Sequence, residues 1–353
     1  MEGKEYIKGR GAQYNPQNKF VHDVYGKFHT EAIDSFESES NNTIFIHSEA
    51  KTLVHKVESP DVGMGYSANP YQGCEHGCVY CYARNSHQYW DMGSGLDFER
   101  KIIIKTNAVK LFEDFITRKN WNFSPIHLSG NTDCYQPIER EMELTRNILQ
   151  LALHYKQPIS IITKNALILR DKDILFELAK LGLIKVYVSI TSLKESTRQK
   201  LEPRTVTAKQ RLRVVEELAN ANIPIGVNVA PIIPGLTDSE IPQMLKAASE
   251  AGAKWANYII VRLNGQIGEI FHDWLQVAYP DAATKIWNAI MSCHNGQVNN
   301  SNFGERMRGS GNVAQIIRDV FKLHCLKNKL NLIQFEYAQI NRSTPSTNQL
   351  SLF

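Results

Sequence analysis

ISIITKNALILRDKDILFELAKLGLIKVYVSI, residues 159–190, decides the fold. It opens on a β-branched run, Ile159–Lys164, and passes into a helix-period stretch, ILFELAKLG at 174–182. It then returns to a second apolar run, KVYVSI at Lys185–Ile190. Asp171 and Asp173 stand before the helical stretch as start signals, and Gly182 follows it as a stop. Strand, helix and strand at this spacing predict two parallel strands joined by a right-handed crossover.

The alternation continues on both sides. Further strand candidates are Ile126–Gly130, Ile225–Ile232 and Asn257–Val261. Helical patterns lie between them: REMELTRNILQLALHY at 140–155, KQRLRVVEELANA at 209–221 and SEIPQMLKAASEAG at 239–252. Thr237 and Asp238 open the last of these and Gly252 closes it. The fold class expected is α/β, a full or partial (β/α) barrel of six βα units with N- and C-terminal extensions. Functional loops should then follow the C-terminal ends of the strands. The expected division is an extension over 1–61, a core over 62–292, a basic helical region over 293–340 and a flexible tail over 341–353.

Composition narrows the class. The chain has 353 residues, 42% apolar and 22% charged, as for a globular enzyme and too apolar for a disordered chain. Its net charge of +4 is too small to argue for nucleic acid by itself. No apolar run spans a membrane, and the first twenty residues lack the apolar segment of a secretory signal. A cytoplasmic, thiol-reducing setting is therefore expected.

Three of the six cysteines fall within eight residues, in NPYQGCEHGCVYCYAR at 69–84. The spacing Cys74-x3-Cys78-x2-Cys81 places three thiolates on one short loop, enough for three corners of a [4Fe–4S] cube. One iron is then left open to a ligand. A zinc site would need a fourth ligand, and His76 inside the loop is the candidate, poorly placed between two of the thiols. Gly73 and Gly77 permit the tight backbone such a loop needs. Cys293 and Cys325 lie in helical patterns and read as buried small hydrophobes.

The motif resembles that of the radical S-adenosylmethionine (SAM) superfamily, with Tyr80 as the aromatic residue before the third cysteine. The wider context, with GRGAQYNP at 9–16, is similar to the spore-photoproduct-lyase-like, or DNA-repair-photolyase-like, subgroup. The resemblance implies a [4Fe–4S] cluster, S-adenosyl-L-methionine, a 5′-deoxyadenosyl radical and a flavodoxin- or ferredoxin-type electron donor. It implies cofactor contacts at strand ends: Ser129, Gly130, Asn131, Thr132 and Asp133 near the amino group, and Lys164 near the carboxylate. Ser189 would meet the ribose, Ile232 in PIIPG would pack on adenine, and Arg262 ends the sixth strand. Each has a structural alternative: Ser189 satisfying backbone groups, Lys164 a solvated strand end, the prolines shaping a turn. Glu202 and Arg204, flanking Pro203, form an ion pair, reach the cofactor carboxylate, or belong to a surface loop. Cys134, with Tyr135 beside it, is expected near the active-site mouth as a hydrogen-atom donor. Matching Thr132-Asp133 to the related segment, however, puts Gly130 at the family's usual cysteine position.

Two features point to DNA. Residues 301–330 carry six Arg and Lys against two acids, with Phe303 among the arginines, a pattern fit for phosphate contact and base stacking or for a solvated basic helix. The terminal QLSLF resembles the bacterial sliding-clamp-binding pentapeptide. Gln349, Leu350, Leu352 and Phe353 would then engage the clamp; the alternative is a tail folded back on its own core. The expected function is radical SAM chemistry on DNA recruited by the sliding clamp. The alternatives are an RNA, protein or small-metabolite substrate, or a non-catalytic binding module with a structural cluster.

Overall fold

The computed structural model describes residues 7–16, 18 and 43–339. Ten strands follow in chain order: β1 Ile44–Ser48, β2 Val54–Lys56, β3 Tyr66–Ala68, β4 Tyr71–Gln72, β5 Lys101–Lys105, β6 Ile126–Leu128, β7 Ile159–Thr163, β8 Ile184–Ser189, β9 Ile225–Ile232 and β10 Trp255–Ile260. Seven form one sheet in the order β10-β9-β8-β7-β6-β3-β2. From β3 to β10 every pairing is parallel, and β2 adds antiparallel to β3. Six parallel strands in sequential order make the six βα units of a partial barrel, open between its first and last strands.

Side-chain alternation builds the two faces of that sheet. Val186 and Val188 of β8, Ile159 and Ile161 of β7, and Ile225 and Val227 of β9 lie in the main core with the crossover helices. Their alternates, Ser160, Ile162, Lys185, Tyr187 and Asn228, line a cavity of about 590 Å³ on the inner face. Helix Gly311–Lys327 packs into the main core through Ala314, Ile317, Phe321 and Cys325. Cys293 and Cys325 are both buried, as read from the sequence.

The structure amends three details. A second sheet, β1-β5-β4, lies outside the expected alternation. The helix expected over 140–155 is two, Glu139–Met142 and Leu144–His154, divided at Glu143 with φ 50°. The cause is Glu139, which is fully buried and whose carboxylate accepts Thr145 N (3.1 and 3.0 Å) and Arg146 N (3.3 Å) at the start of the second helix. Asp171 does not cap the helix Lys172–Lys180; its carboxylate is taken by Tyr135 Oη, Arg146 and Arg170. Gly182 and Gly252 do end helices, at φ 69° and 94°.

The open side of the barrel is bridged by contact alone. Gly304 N and Arg306 Nε donate to Asp61 at 2.7 and 2.5 Å, and Arg306 Nη2 donates to Ser59 Oγ. Asp61 and Ser59 lie between β2 and β3; Gly304 and Arg306 follow β10. At the opposite end, a strap over 331–338 crosses the strands' N-terminal ends. Trp255 Nε1 donates to Ile333 O at 2.7 Å and Ala338 N to Gly182 O at 3.1 Å. The Lys185 ammonium sits 4.6, 5.0 and 5.3 Å from the rings of Trp255, Tyr187 and Phe335.

Candidate active site

The cysteine loop follows the C-terminal end of β3, the first strand of the parallel sheet, where a (β/α) fold carries its chemistry. Gly73 (φ 79°) and Gly77 (φ 66°) make its bends. A Cβ on either would fall 2.8 Å from Lys101 O or Glu99 Oε2 respectively, so only glycine fits. Cys74 and Cys78 are each 7% exposed, and Cys81 is less buried. Burial, foremost, and then Asp133 and the neighbouring thiols hold the Cys74 thiol well above its usual range. Burial pushes the Cys78 thiol up to about 12 against the pull of Lys164. Thiols so placed ionise only against strong positive charge, which iron ions supply.

The zinc alternative fails on geometry. His76 turns from the thiols: its Nδ1 lies 3.4 Å from Asp133 Oδ2 and its Nε2 3.3 Å from Asn165 Nδ2. Burial keeps that imidazole neutral, lowering its pKa to about 4. Among the described residues, no three His, Cys, Asp or Glu side chains converge as a single-ion site. Three cysteines on one loop with glycine at its bends can supply the three protein ligands of a [4Fe–4S] cluster.

Beneath the loop is a buried polar network. Tyr80 Oη donates to Glu202, which also accepts from Thr191 Oγ1 (2.6 Å) and from Arg211 Nη2 (2.5 Å). Glu202 is 0% exposed; burial alone would raise its carboxyl, but Arg211 and Lys164 outweigh it and bring it to about 2. Arg211 also donates to Ser189 O (2.9 Å) and Val206 O (3.1 Å). Burial disfavours the Lys164 ammonium, yet Cys78 and Glu202 together hold its pKa above the usual value. The carboxylate and guanidinium of a 202–204 pair do not meet. Glu202 takes Arg211, while Arg204 reaches Glu75 Oε1 at 3.4 Å and Thr43 Oγ1 at 3.1 Å and packs against the cysteine loop.

The segment after β6 knits itself together. Ser129 Oγ accepts from Cys134 N (2.8 Å), Gly130 O accepts from Tyr82 Oη, and Thr132 Oγ1 donates to Tyr71 O (2.9 Å). Asn131 N donates to Asn69 Oδ1 at 2.8 Å. Both Asp133 oxygens are occupied, by Thr163 Oγ1 and by Lys164 N, each at 2.8 Å. Asp133 therefore ties β6 to β7. Ser189 and Ile232 are buried at the ends of β8 and β9. Arg262, after β10, is half-buried and within electrostatic reach of Tyr82, which itself neighbours Cys81 and Lys164. Asp133, Lys164 and Glu202 are thus drawn together beside the cysteine loop, while Ile232 lies 0% exposed in the main core and offers only its backbone.

Cys134 and Tyr135 do not join it. Both are 0% exposed in the main core, and Tyr135 Oη donates to Asp171 at 3.1 Å. In the basic loop, Phe303 is exposed under Arg306 (4.4 Å), but Arg306 is engaged by Asp61 and Arg308 lies 4.3 Å over the Tyr258 ring. Gln349, Leu350, Leu352 and Phe353 fall outside the described residues. Missed from sequence were Glu202 as a buried anchor, Arg211, Glu99 and Arg84, all charged and all buried. No helix among the described residues is long and apolar enough to cross a membrane.

The sequence profile described as the Radical SAM superfamily matches residues 68–248. A Mycobacterium tuberculosis protein named only as uncharacterized is 32% identical over 238 residues, 67% of this chain and 70% of its own length. Another, from Methanocaldococcus jannaschii, is 30% identical over 243 residues, 69% and 86% of the two chains. Among solved structures, spore photoproduct lyase complexed with dinucleoside spore photoproduct has a TM-score of 0.57 at 15% identity, covering 80% of this chain and 79% of that one. At that identity the likeness is one of fold.

Proposed function

This chain belongs to the radical SAM superfamily, and from that premise we propose that its radical chemistry acts on DNA, as lesion repair or nucleotide modification. It is a radical SAM enzyme, and its cofactors are a [4Fe–4S] cluster and S-adenosylmethionine. When bound, the reduced cluster supplies one electron to the sulfonium of SAM, giving methionine and a 5′-deoxyadenosyl radical that takes a hydrogen atom from substrate.

In our reading, Cys74, Cys78 and Cys81 hold three irons and leave the fourth to SAM. The Lys164 ammonium, kept charged by its neighbours, meets the methionine carboxylate. The carbonyls and side chains of Ser129–Asn131 face its amino group. Ser189 and the backbone at Ile232 hold ribose and adenine, and Arg262 orients the outer end of the site. Thr132 and Asp133 act one step back, fixing the turn that carries these groups. Arg204 braces the cysteine loop through Glu75, and Tyr80 anchors it from below through Glu202. The closed core around Cys134 and Tyr135 favours donors other than these for the final hydrogen atom.

The observation that carries the reading is the three-cysteine loop at the C-terminal end of the first of six parallel strands. DNA is favoured by the exposed ring of Phe303, by the terminal QLSLF as a sliding-clamp ligand, and by the dinucleoside bound to spore photoproduct lyase. Electrons would come from a flavodoxin- or ferredoxin-type donor, in the cytoplasm. The test is anaerobic reconstitution, reduction and assay of 5′-deoxyadenosine and methionine. Wild type should form both and Cys81→Ala neither; equal yields would refute the cluster assignment. Calorimetry with sliding clamp, on the intact chain and one ending at Asn348, tests recruitment. No binding by the intact chain removes the clamp and shifts the substrate search to RNA, protein and metabolites.

A further inference from the structure

We propose that the N-terminal segment Gly9–Pro16 is a built part of the cluster cradle, and that Glu99 is the positioning residue that holds it against the loop between Cys74 and Cys78. The inference rests on the reading that these thiols carry the cluster.

The segment lies on the loop with no room to spare. An added Cβ on Gly11 would fall 1.8 Å from Gly77 O and 3.0 Å from Val79 N, both backbone atoms inside the cysteine motif. No side chain can be accommodated there without moving the loop. Ala12, 0% exposed, packs in one apolar cluster with Cys78, Val79 and Tyr80. Further along, Asn15 Oδ1 accepts from Asp97 N at 3.0 Å, fastening the segment to the helix Leu96–Arg100.

Glu99 on that helix joins the two. It is 0% exposed, and its carboxylate accepts from Gly11 N (3.1 Å), Ala12 N (2.8 Å) and Arg84 Nη2 (2.5 Å). Arg84, also 0% exposed, donates through Nε to Cys78 O at 2.9 Å. One chain of charge-assisted bonds therefore runs from the segment's amides, through Glu99 and Arg84, to the carbonyl of a cysteine. A carboxylate buried this deeply is retained only where its donors are all in place. Here two of them come from a segment 88 and 87 residues away in the chain. The arrangement covers the outer side of the loop and keeps water and oxygen from it.

The test uses reconstituted full-length protein, its iron and sulfide content, and the rate at which the cluster's visible absorbance bleaches in air. Glu99→Gln removes one charged acceptor, and Gly11→Ala displaces the segment. Each should speed bleaching about tenfold or more by raising local opening of the loop. A role for Glu99 in overall folding alone would lower the melting temperature and leave the bleaching rate of folded protein unchanged, which would overturn the proposal. Should both variants fail to fold, hydrogen exchange on wild type decides: protection of the Gly11 and Ala12 amides should rise on cluster loading, and equal protection with and without cluster refutes the proposal. Wild type that takes up no iron refutes the underlying reading instead; wild type and both variants holding equally stable cluster refutes only this one.

Discussion

Arg211→Met tests the network beneath the cysteine loop. Arg211 and Glu202 are 2% and 0% exposed at the side chain and meet at 2.5 Å. Removing the guanidinium leaves a carboxylate in the interior with only Tyr80, Thr191 and Thr205 as donors, and strands the carbonyls of Ser189 and Val206. Breaking a buried pair on one side costs about 3–5 kcal/mol. For 353 residues the unfolding entropy is roughly 0.7 kcal/mol per kelvin, so the melting temperature should fall by about 4–7 °C. Glu202→Gln should cost a similar amount. The double variant Glu202→Gln/Arg211→Met should cost about as much as either single change rather than their sum, because the second substitution removes the charge the first left stranded. Thermal melts followed by circular dichroism, with urea titrations for free energies, give the cycle. Additive costs, or a single variant melting within a degree of wild type, would refute the argument.

Three further outcomes are expected. His127 is 4% exposed, with Nδ1 on Ser160 Oγ at 2.9 Å, and burial lowers its pKa to about 4. The unfolded chain therefore takes up a proton that the folded one refuses as pH falls from about 6.5 to 4. Stability present above that window is lost within it, by up to about 3 kcal/mol, and His127→Asn should flatten the decline seen in urea midpoints. Trp274→Ala deletes a 0% exposed ring and its Nε1–Lys200 O bond of 3.1 Å; urea unfolding should show a loss of about 3–5 kcal/mol with the same slope. Lys164→Met should weaken SAM binding to the cluster-loaded enzyme about tenfold or more by calorimetry, while an unchanged affinity would remove Lys164 from the site.

What could be read from residues alone was whatever is local or periodic. The runs at 126–130, 159–164, 185–190, 225–232 and 257–261 became β6 to β10 within a residue or two, because β-branched stretches between helix-period segments leave few alternatives. β3 escaped because three residues, Tyr66–Ala68, carry no period. KIIIK at 101–105 has a strong strand signal, but its partners β1 and β4 belong to a separate sheet outside the βα alternation. The cysteine motif was legible because its chemistry is written in eight consecutive residues. Glu99, Arg84 and Arg211 were not. In sequence they look like solvated charges on helical faces, and their partners lie up to 88 residues away. Cys134 sits beside the strand-end turn in sequence, yet the turn's own bond from Cys134 N to Ser129 Oγ accompanies a thiol buried in the core.

The seam between β2–β3 and β10 bears on how the wall of the sheet can part. A closed barrel has no edge, so its wall cannot part without breaking strand pairing. Here the wall is interrupted, and what spans the interruption is Asp61 with Gly304 and Arg306, aided by Ser59. Parting these side chains disturbs no strand pairing, and Gly63, Gly65 and Gly304 have no neighbour within 4 Å of where a Cβ would stand. The cavity behind is lined by Asp61–Gly65 and Met307 on either side of the seam. Opening this seam would leave every strand pairing in place, since among the described residues only side chains and a loop amide span it.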